Sequence, residues 1–403
     1  MSHSSQVLII NTGSSSLKFA IVDPLSGKEQ LSGIGEALGS ASPRMEWVHD
    51  GVEQDCRLDA GASHHSVIEI LVEQILGELP VLSEELIAVG HRVVHGGEYF
   101  SSSVLIDQQV INTIDQCASL APLHNPPALK GIRAAMDEFP QLPQVAVFDT
   151  AFHQSLPEHA YLYALPYSLY RDQRIRRYGM HGTSHQFVSE RAALLLGRPL
   201  AETNTITAHL GNGASITAVQ GGASVDTSMG MTPLEGLVMG TRCGDLDPGV
   251  LIHLAESLNH STDKLKNLLN RESGLLGISE LSNDCRELEQ AAAQGHHGAK
   301  LALEIFCYRL AKYIAAYTLP LRHVHALVFT GGIGENSSWI RERTMHWLGA
   351  LSYELDREQN EATRFGAEGP ISRSGTPVAL VVPTNEEWII ARDAAAIVTG
   401  GLR

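Results

Sequence analysis

Positive charge is in short supply along this 403-residue chain: 29 lysines and arginines stand against 45 aspartates and glutamates, a formal net charge of −16. Nucleic acids and anionic membranes need a basic face on their partner, so neither is expected here. A small anionic substrate remains open, because a few local arginines outweigh charge lying a Debye length away. No run of 18 apolar residues occurs, and the start MSHSSQVLII has neither a basic stretch nor a full apolar core; no membrane span or signal peptide is expected. Cysteine is sparse too. Cys56, Cys117, Cys243, Cys285 and Cys307 are odd in number and irregularly spaced, which is neither a disulfide framework nor a zinc signature and points to a reducing, cytoplasmic compartment. His181 and His185 have i, i+4 spacing, yet glycine lies between them and no third ligand is near, so chelation is not expected there.

What the chain does have is a repeated hairpin. Thr207 to Val219, TAHLGNGASITAV, reads strand, Gly-Asn-Gly turn, strand, and Ile9 to Val22, IINTGSSSLKFAIV, reads the same way around Gly-Ser-Ser-Ser. Glycine lets the backbone approach an anion, and Ser or Asn adds donors to exposed N–H groups, so such turns can cradle a phosphate. Either turn alone is also an ordinary hairpin; the pairing favours two related halves. The length agrees, since 403 residues exceed what one core usually serves.

Along the first half, His49-Asp50-Gly51 is a hairpin turn, and Val67 to Leu79 is expected to be a helix ending at Pro80. Leu86 to Val94 reads as a buried strand carrying Arg92, which either points to solvent at the strand end or is a charge held over a site at the sheet's carboxyl edge. Asn125-Pro126-Pro127 starts a helix, and the strand Gln144 to Phe148 delivers Asp149. In the second half, Tyr161 to Tyr178 is irregular, a helix is expected over about Gln186 to Leu196, and the 24 residues from Asp226 to Gly249 lack periodicity, which in a compact domain marks a functional loop. Helices are expected over Val250–Leu258, Ser279–Gln294 and Ala299–Leu319, the last with Leu303, Phe306, Leu310, Ile314 and Tyr317 in one stripe for a core or a subunit interface. The strand Ala326 to Thr330 runs into Gly331-Gly332-Ile333-Gly334, which is not GxGxxG but still offers backbone N–H groups to a nucleotide. Before the last helix, Thr384 and Glu387 have the spacing of a capping box, which leaves Glu386 without a structural task.

Two phosphate-type hairpins, a later strand with a glycine loop and α/β halves are the layout of the actin-like, sugar-kinase and Hsp70-type nucleotide-binding fold. Nine segments in order then resemble the acetate kinases: INTGSSSLK (10–18), GHRVVHGGE (90–98), APLHNPP (121–127), VFDTAFH (147–153), RYGMHGTSH (177–185), HLGNGAS (209–215), MGTRCGDLDPG (239–249), FTGGIGEN (329–336) and PTNEE (383–387). The resemblance implies an α/β chain of two duplicated actin-like ATPase domains of ribonuclease H-like fold with a cleft between them. The first would span 1–150, completed by 385–403, and the second 151–384, which would bind nucleotide and carry the contact of a homodimer. It also implies reversible phosphoryl transfer between ATP and acetate, giving ADP and acetyl phosphate, with Mg2+ or Mn2+.

Carried over by motif, Asn11 and Glu386 take the metal-site positions, and Lys18, His209, Leu210, Gly211, Asn212, Gly213, Asp284, Cys285, Arg286, Gly332, Ile333, Gly334, Glu335 and Asn336 the nucleotide contacts. Arg92 takes the carboxylate-binding position, with Val94, Leu123, Met180 and Pro233 as the acyl pocket, while Asp149, His181 and Arg242 take the catalytic positions. The family usually has phenylalanine where this chain has Met180, which bears on acetate against propionate. The chemistry suits these residues. Joining a phosphoryl group to a carboxylate brings anions together, so catalysis is mostly positioning and charge neutralisation. Acetate is already ionised at neutral pH, so no general base is required and Asp149 has the task of orienting an arginine or the metal's water shell. Direct in-line transfer needs fewer parts than a covalent Asp or His phosphoenzyme, which the sequence leaves open; a propionate or other short-chain acyl kinase, an actin- or Hsp70-like protein that moves a partner, and an NTPase using Asp149 as its base are the alternative functions.

Overall fold

The computed structural model describes residues 5–122 and 124–400, which form two compact units: the residues up to Phe152 joined by those from Asn385 onward, and His153–Thr384. The first unit is built on an eight-stranded sheet of β1 (Gln6–Thr12), β2 (Leu17–Val22), β3 (Glu29–Glu36), β4 (Arg44–His49), β5 (Val52–Arg57), β6 (Leu86–Val93), β7 (Val104–Leu105) and β8 (Gln144–Phe148), in the order β5-β4-β3-β2-β1-β6-β8-β7. β1 to β5 follow one another as antiparallel hairpins, whereas β1, β6 and β8 are parallel. The continuous apolar run of β1 suits a central strand covered on both faces. Leu8 and Ile10 join one buried cluster with the helix Asn125–Glu138, and Val7 and Ile9 join another with Ile390, Ala391 and Ala394 of the C-terminal helix Glu386–Val398. That helix lies close on β6 because residue 90 is glycine: a Cβ there would fall 2.6 Å from Ile390 Cγ2. At the far edge, β5 exposes Glu53, Asp55 and Arg57, charges that discourage pairing with another chain.

The second unit repeats the plan with β9 (Asn204–Leu210), β10 (Ala214–Gln220), β11 (Ala223–Thr227), β12 (Ala326–Thr330), β13 (Gly369–Pro370) and β14 (Ala379–Val381), ordered β11-β10-β9-β12-β14-β13. An antiparallel three-strand meander leads into two parallel strands and a short antiparallel edge strand, as in β3-β2-β1-β6-β8-β7. The echo between the two hairpins is therefore a duplicated topology. The stripe on the helix His297–Tyr317 is core, since Leu303, Phe306, Leu310, Ile314 and Tyr317 are all buried within the chain.

Several expected elements shift. The helix expected from Val67 starts at His64, capped by Ser63, and turns through a π-helical segment at Leu71–Leu76; Pro80 then opens a short helix Pro80–Glu84. The 161–178 stretch holds a short helix, Tyr167–Gln173, and the helix after it begins at Gly182, four residues before the expected start. Instead of Ser279–Gln294, helix covers Gly274–Ser279 and Cys285–Ala293, the second capped by Asp284. The capping box at Thr384 is not formed. Asn385 is the N-cap, its side chain accepting from Trp388 N at 2.9 Å, because Thr384 is engaged elsewhere: its N–H donates to Glu335 at 3.0 Å and its hydroxyl meets Ser184 Oγ at 2.8 Å. Among the described residues, no helix is long and apolar enough to cross a membrane.

Candidate active-site residues

In the first unit, strand register assembles the charged residues. β1 and β6 pair as far as Ile10 and His91; one step further, Asn11 and Arg92 emerge side by side at the strands' carboxyl ends, with Asp149 directly after β8. Lys18 is the register partner of Asn11 on β2. Carboxyl ends of parallel strands are where open sheets collect ligands. Arg92 donates from Nε to Asp149 Oδ1 at 3.0 Å and from Nη2 to Oδ2 at 2.8 Å, and Glu386 Oε2 lies 3.7 Å from Nε. Of the two readings of Arg92, the solvent-pointing one is thus excluded; its side chain is 22% exposed and that of Asp149 1%.

Burial pulls the pKa of Arg92 down, and the carboxylates of Asp149 and Glu386 more than reverse this, so the arginine is firmly charged. Burial pushes the Asp149 carboxyl up while Arg92 pulls it back. With both its oxygens accepting from a guanidinium that stays protonated, Asp149 is read as a carboxylate. Burial also pushes Glu387 up. Asn11, Lys18 and Glu387 line a cavity of about 790 Å3 together with Glu29, Glu46 and Trp47. No group of three or more His, Cys, Asp or Glu side chains among the described residues could hold a metal alone. An ion of the Mg2+ type takes oxygen donors and keeps waters and phosphate oxygens, so an amide oxygen and one carboxylate, those of Asn11 and Glu386, suit such an ion rather than an all-protein cage.

In the second unit the residues gather around the expected turn. β9 and β10 pair from Leu210↔Ala214 to Asn204↔Gln220, and Gly211 N donates to Gly213 O at 3.0 Å. A Cβ on Gly240 would lie 1.9 Å from Asn212 Oδ1, so only glycine lets the 226–249 loop close on this turn, where Gly240 N donates to Asn212 O at 2.9 Å. Asn283 Nδ2 donates to Asn212 Oδ1 at 2.9 Å and brings Asp284 and Arg286 alongside, while the Cys285 thiol turns away toward Glu289 at 3.5 Å. On the other side Gly331, at φ 75°, comes so near that a Cβ would meet Leu210 O at 2.8 Å. The expected glycine loop is a six-residue helix, Gly331–Asn336, starting directly at the end of β12, with the Glu335 carboxylate accepting from Gly331 N at 2.9 Å.

Arg242 and His181 meet at the same turn. A Cβ on Gly213 would lie 3.5 Å from Arg242 Nη1 and 3.6 Å from His181 Cε1. Arg242 Nη1 donates to Pro233 O at 3.1 Å and lies 3.6 Å from Met239 Sδ. No carboxylate among the described residues pairs with it, and burial lowers its pKa without an opposing acid. His181 sits at φ 58°, ψ 27°, immediately before the helix Gly182–Leu195, and its ring stacks on His209 at 4.3 Å. Met180 is fully buried and Pro233 half-buried in this unit; Val94 is half-buried in the first, and Leu123 lies outside the described residues.

The 226–249 segment has no regular structure between Thr227 and Pro248, as expected, yet it is pinned. Arg177 Nη1 donates to the carbonyls of Thr227 (2.7 Å) and Ser228 (3.0 Å), its Nη2 donates to Glu235 (2.6 Å), and Tyr313 donates to Asp245 at 2.5 Å. The motif reading assigned no task to Arg177, Ser184 or Ser215. Their signal was membership of RYGMHGTSH and HLGNGAS, where small hydroxyl residues flank histidines.

Comparison with known proteins agrees with this arrangement. The acetate kinase of Shewanella loihica is 60% identical over 391 residues, 97% of this chain and 98% of its own. Among solved structures, a propionate kinase from Francisella tularensis aligns with TM-score 0.93 and 45% identity, and the Porphyromonas gingivalis acetate kinase with TM-score 0.91 and 43% identity, each covering 98% of this chain and 100% of its own. The model of the acetokinase family matches residues 6–392, and the chain belongs to that family.

Proposed function

We propose that this chain transfers the γ-phosphoryl group of ATP reversibly to acetate, giving acetyl phosphate and ADP. The observation that carries the reading is Arg242, a half-buried guanidinium with no acidic partner among the described residues, set with His181 beside a glycine turn. A half-buried cation held only by a carbonyl and a thioether is a charge kept for an anion that arrives with substrate. Arg92 complements it: with Nε and Nη2 engaged by Asp149, the guanidinium is oriented and retains Nη1 for the acid's carboxylate. Lys18, His209–Gly213, Asp284–Arg286 and Gly332–Asn336 take the nucleotide. Asn11 and Glu386 would hold Mg2+ or Mn2+, which supplies charge neutralisation between the phosphates.

In this reading Asp149 positions Arg92 and does not activate water, since both its oxygens are committed to the arginine, and this counts against the NTPase alternative. The acceptor acid has one rival, propionate, favoured by the likeness to the Francisella propionate kinase and by methionine at 180. Trapping the product as the hydroxamate, with ATP and Mg2+ and equal concentrations of acetate, propionate and butyrate, separates them. Acetate is expected to lead with a steep fall by butyrate; propionate in the lead would transfer the assignment, and ATP hydrolysis without any hydroxamate would end the kinase reading.

A homodimer and a cytoplasmic location belong to the same proposal. The five thiols are unpaired, as a reducing compartment keeps them. The helix Pro248–Ser257 buries none of its residues, with Ile252 57% exposed, Leu246 just before it 41% and Leu258 just after it 55%. Such an apolar surface suits contact with a second copy. Ile252→Asp is expected to shift the mass in sedimentation equilibrium toward monomer; an unchanged mass would remove this helix from the contact.

A further inference from the structure

We propose that Ser215 and His185 are positioning residues for His181: a buried chain of hydrogen bonds keeps a proton on His181 Nδ1 and commits Nε2 of the same ring to the transferring phosphoryl group. The inference rests on the acyl-kinase reading only for the purpose of that last contact. The chain starts at His181 Nδ1, 2.9 Å from Ser215 Oγ. Ser215 Oγ is also 2.7 Å from His185 Nε2, and His185 Nδ1 is 2.7 Å from Thr207 Oγ1. It ends at the carbonyl of Thr217, 3.4 Å from Thr207 Oγ1. Ser215, His185 and Thr207 are completely buried, so no bulk water breaks the sequence.

The direction follows from the two ends. A carbonyl only accepts, so Thr207 donates to Thr217 and accepts from Nδ1–H of His185. His185 is neutral: burial, with the His153 and His209 rings adding to it, pushes it well below the ordinary histidine range. Its Nε2 is then a lone pair that takes the Ser215 hydroxyl hydrogen, and Ser215 Oγ is left to accept from His181 Nδ1–H. His209, stacked on His181, is tied separately through Nδ1 to Ser184 Oγ at 2.7 Å. The ring edge of His181 that faces the turn carries Nε2, which would lie 3.7 Å from a Cβ on Gly213, beside Arg242 Nη1 at 3.5 Å. With Nδ1 already a donor, His181 donates to a phosphoryl oxygen from Nε2 only as imidazolium, adding its positive charge to that of Arg242. The opposite hydrogen-bond direction would make it a neutral donor.

The tautomer is read without substrate. In long-range 1H–15N spectra of the 15N-labelled chain at a pH where the ring is neutral, with His181→Gln identifying its signals, Nδ1–H is expected; Nε2–H overturns the proposal. Kinetics supply a second test. Ser215→Ala is expected to lower kcat on the order of tenfold to a hundredfold, the loss that follows removal of an orienting partner, with KM for ATP and acetate within about threefold. Ser215→Thr, which keeps the hydroxyl, is expected to recover most of the rate. A kcat of Ser215→Ala within about twofold of the unmutated chain also overturns the proposal. Should that variant not fold, the spectrum of the unmutated chain still decides. Absence of acyl phosphate from the unmutated chain would defeat the kinase reading and leave the tautomer result standing.

Discussion

Replacing Arg242 by alanine is expected to lower kcat by about a thousandfold or more while the protein stays folded. The scale is that of an arginine supplied to the charge on a transferring phosphoryl group. The expected tolerance of the fold comes from the partners of the side chain. Arg242 holds a carbonyl at 3.1 Å and a thioether at 3.6 Å, and its loss strands no buried acid among the described residues. The 226–249 loop keeps its anchors in Arg177 and Tyr313. Truncation should therefore cost stability only about 1 kcal/mol, the worth of an ordinary hydrogen bond. Steady-state kinetics with a thermal melt check both halves: a loss of rate under about tenfold would remove Arg242 from this role, and a collapsed melt would make its role structural.

Arg92→Leu is expected to behave in the opposite way toward stability. Its two donations to Asp149, at 3.0 and 2.8 Å, satisfy a carboxylate whose side chain is 1% exposed. Removing one partner of such a pair leaves a buried charge uncompensated and costs about 3–5 kcal/mol. On the enzyme that remains folded, the apparent KM for acetate should rise by on the order of a hundredfold, since a charge-assisted contact made before the transition state is lost. The two effects separate in the double variant Arg92→Leu/Asp149→Leu. It recovers much of the denaturation midpoint, because no lone carboxylate is buried, but not the affinity for acetate. Unchanged saturation by acetate in Arg92→Leu would take the carboxylate-binding role from this residue.

The contrast between these arginines could not be read from residue identities: Arg92 lies in an apolar strand and Arg242 in a glycine-rich segment with Asp245 and Asp247 close by in sequence, yet it is Arg92 that is paired with an acid. What separates them is the partner that the fold delivers: Asp149, 57 residues from Arg92, against none among the described residues for Arg242. Features set by neighbours in sequence were legible. The 207–219 hairpin, the strand delivering Asp149 and the structureless 226–249 segment follow from turn residues and apolar alternation, and all are present. The kinship of the halves was also visible, as two similar turns, and became a shared strand order in the sheets.

Elsewhere distant contacts overrode local pattern. Thr384 has the spacing of a capping residue, yet Ser184, 200 positions away, and Glu335, 49 away, take its hydroxyl and its N–H, so Asn385 caps instead. Glu387 loses its assigned task as a result. The glycine-rich 331–336 segment looks like a loop because glycine is a poor helix former; it is helical because Gly331 takes a positive φ against Leu210 and Glu335 reaches back to its N–H. Ser215 and His185 lie inside recognisable motifs, but the link between them was not legible, since their hydrogen bonds span strands and a helix.

In the proposed transfer no residue of the chain carries the phosphoryl group, and Asp149, tied by both oxygens to Arg92, is not available to take it. The stereochemistry at phosphorus tests this most directly. With ATP made chiral at the γ-phosphorus by oxygen isotopes and sulfur, and acetate as acceptor, a single displacement inverts the configuration, and inversion is the predicted result. Retention in the acetyl thiophosphate would reveal two displacements through a phosphorylated residue and would rule out direct transfer.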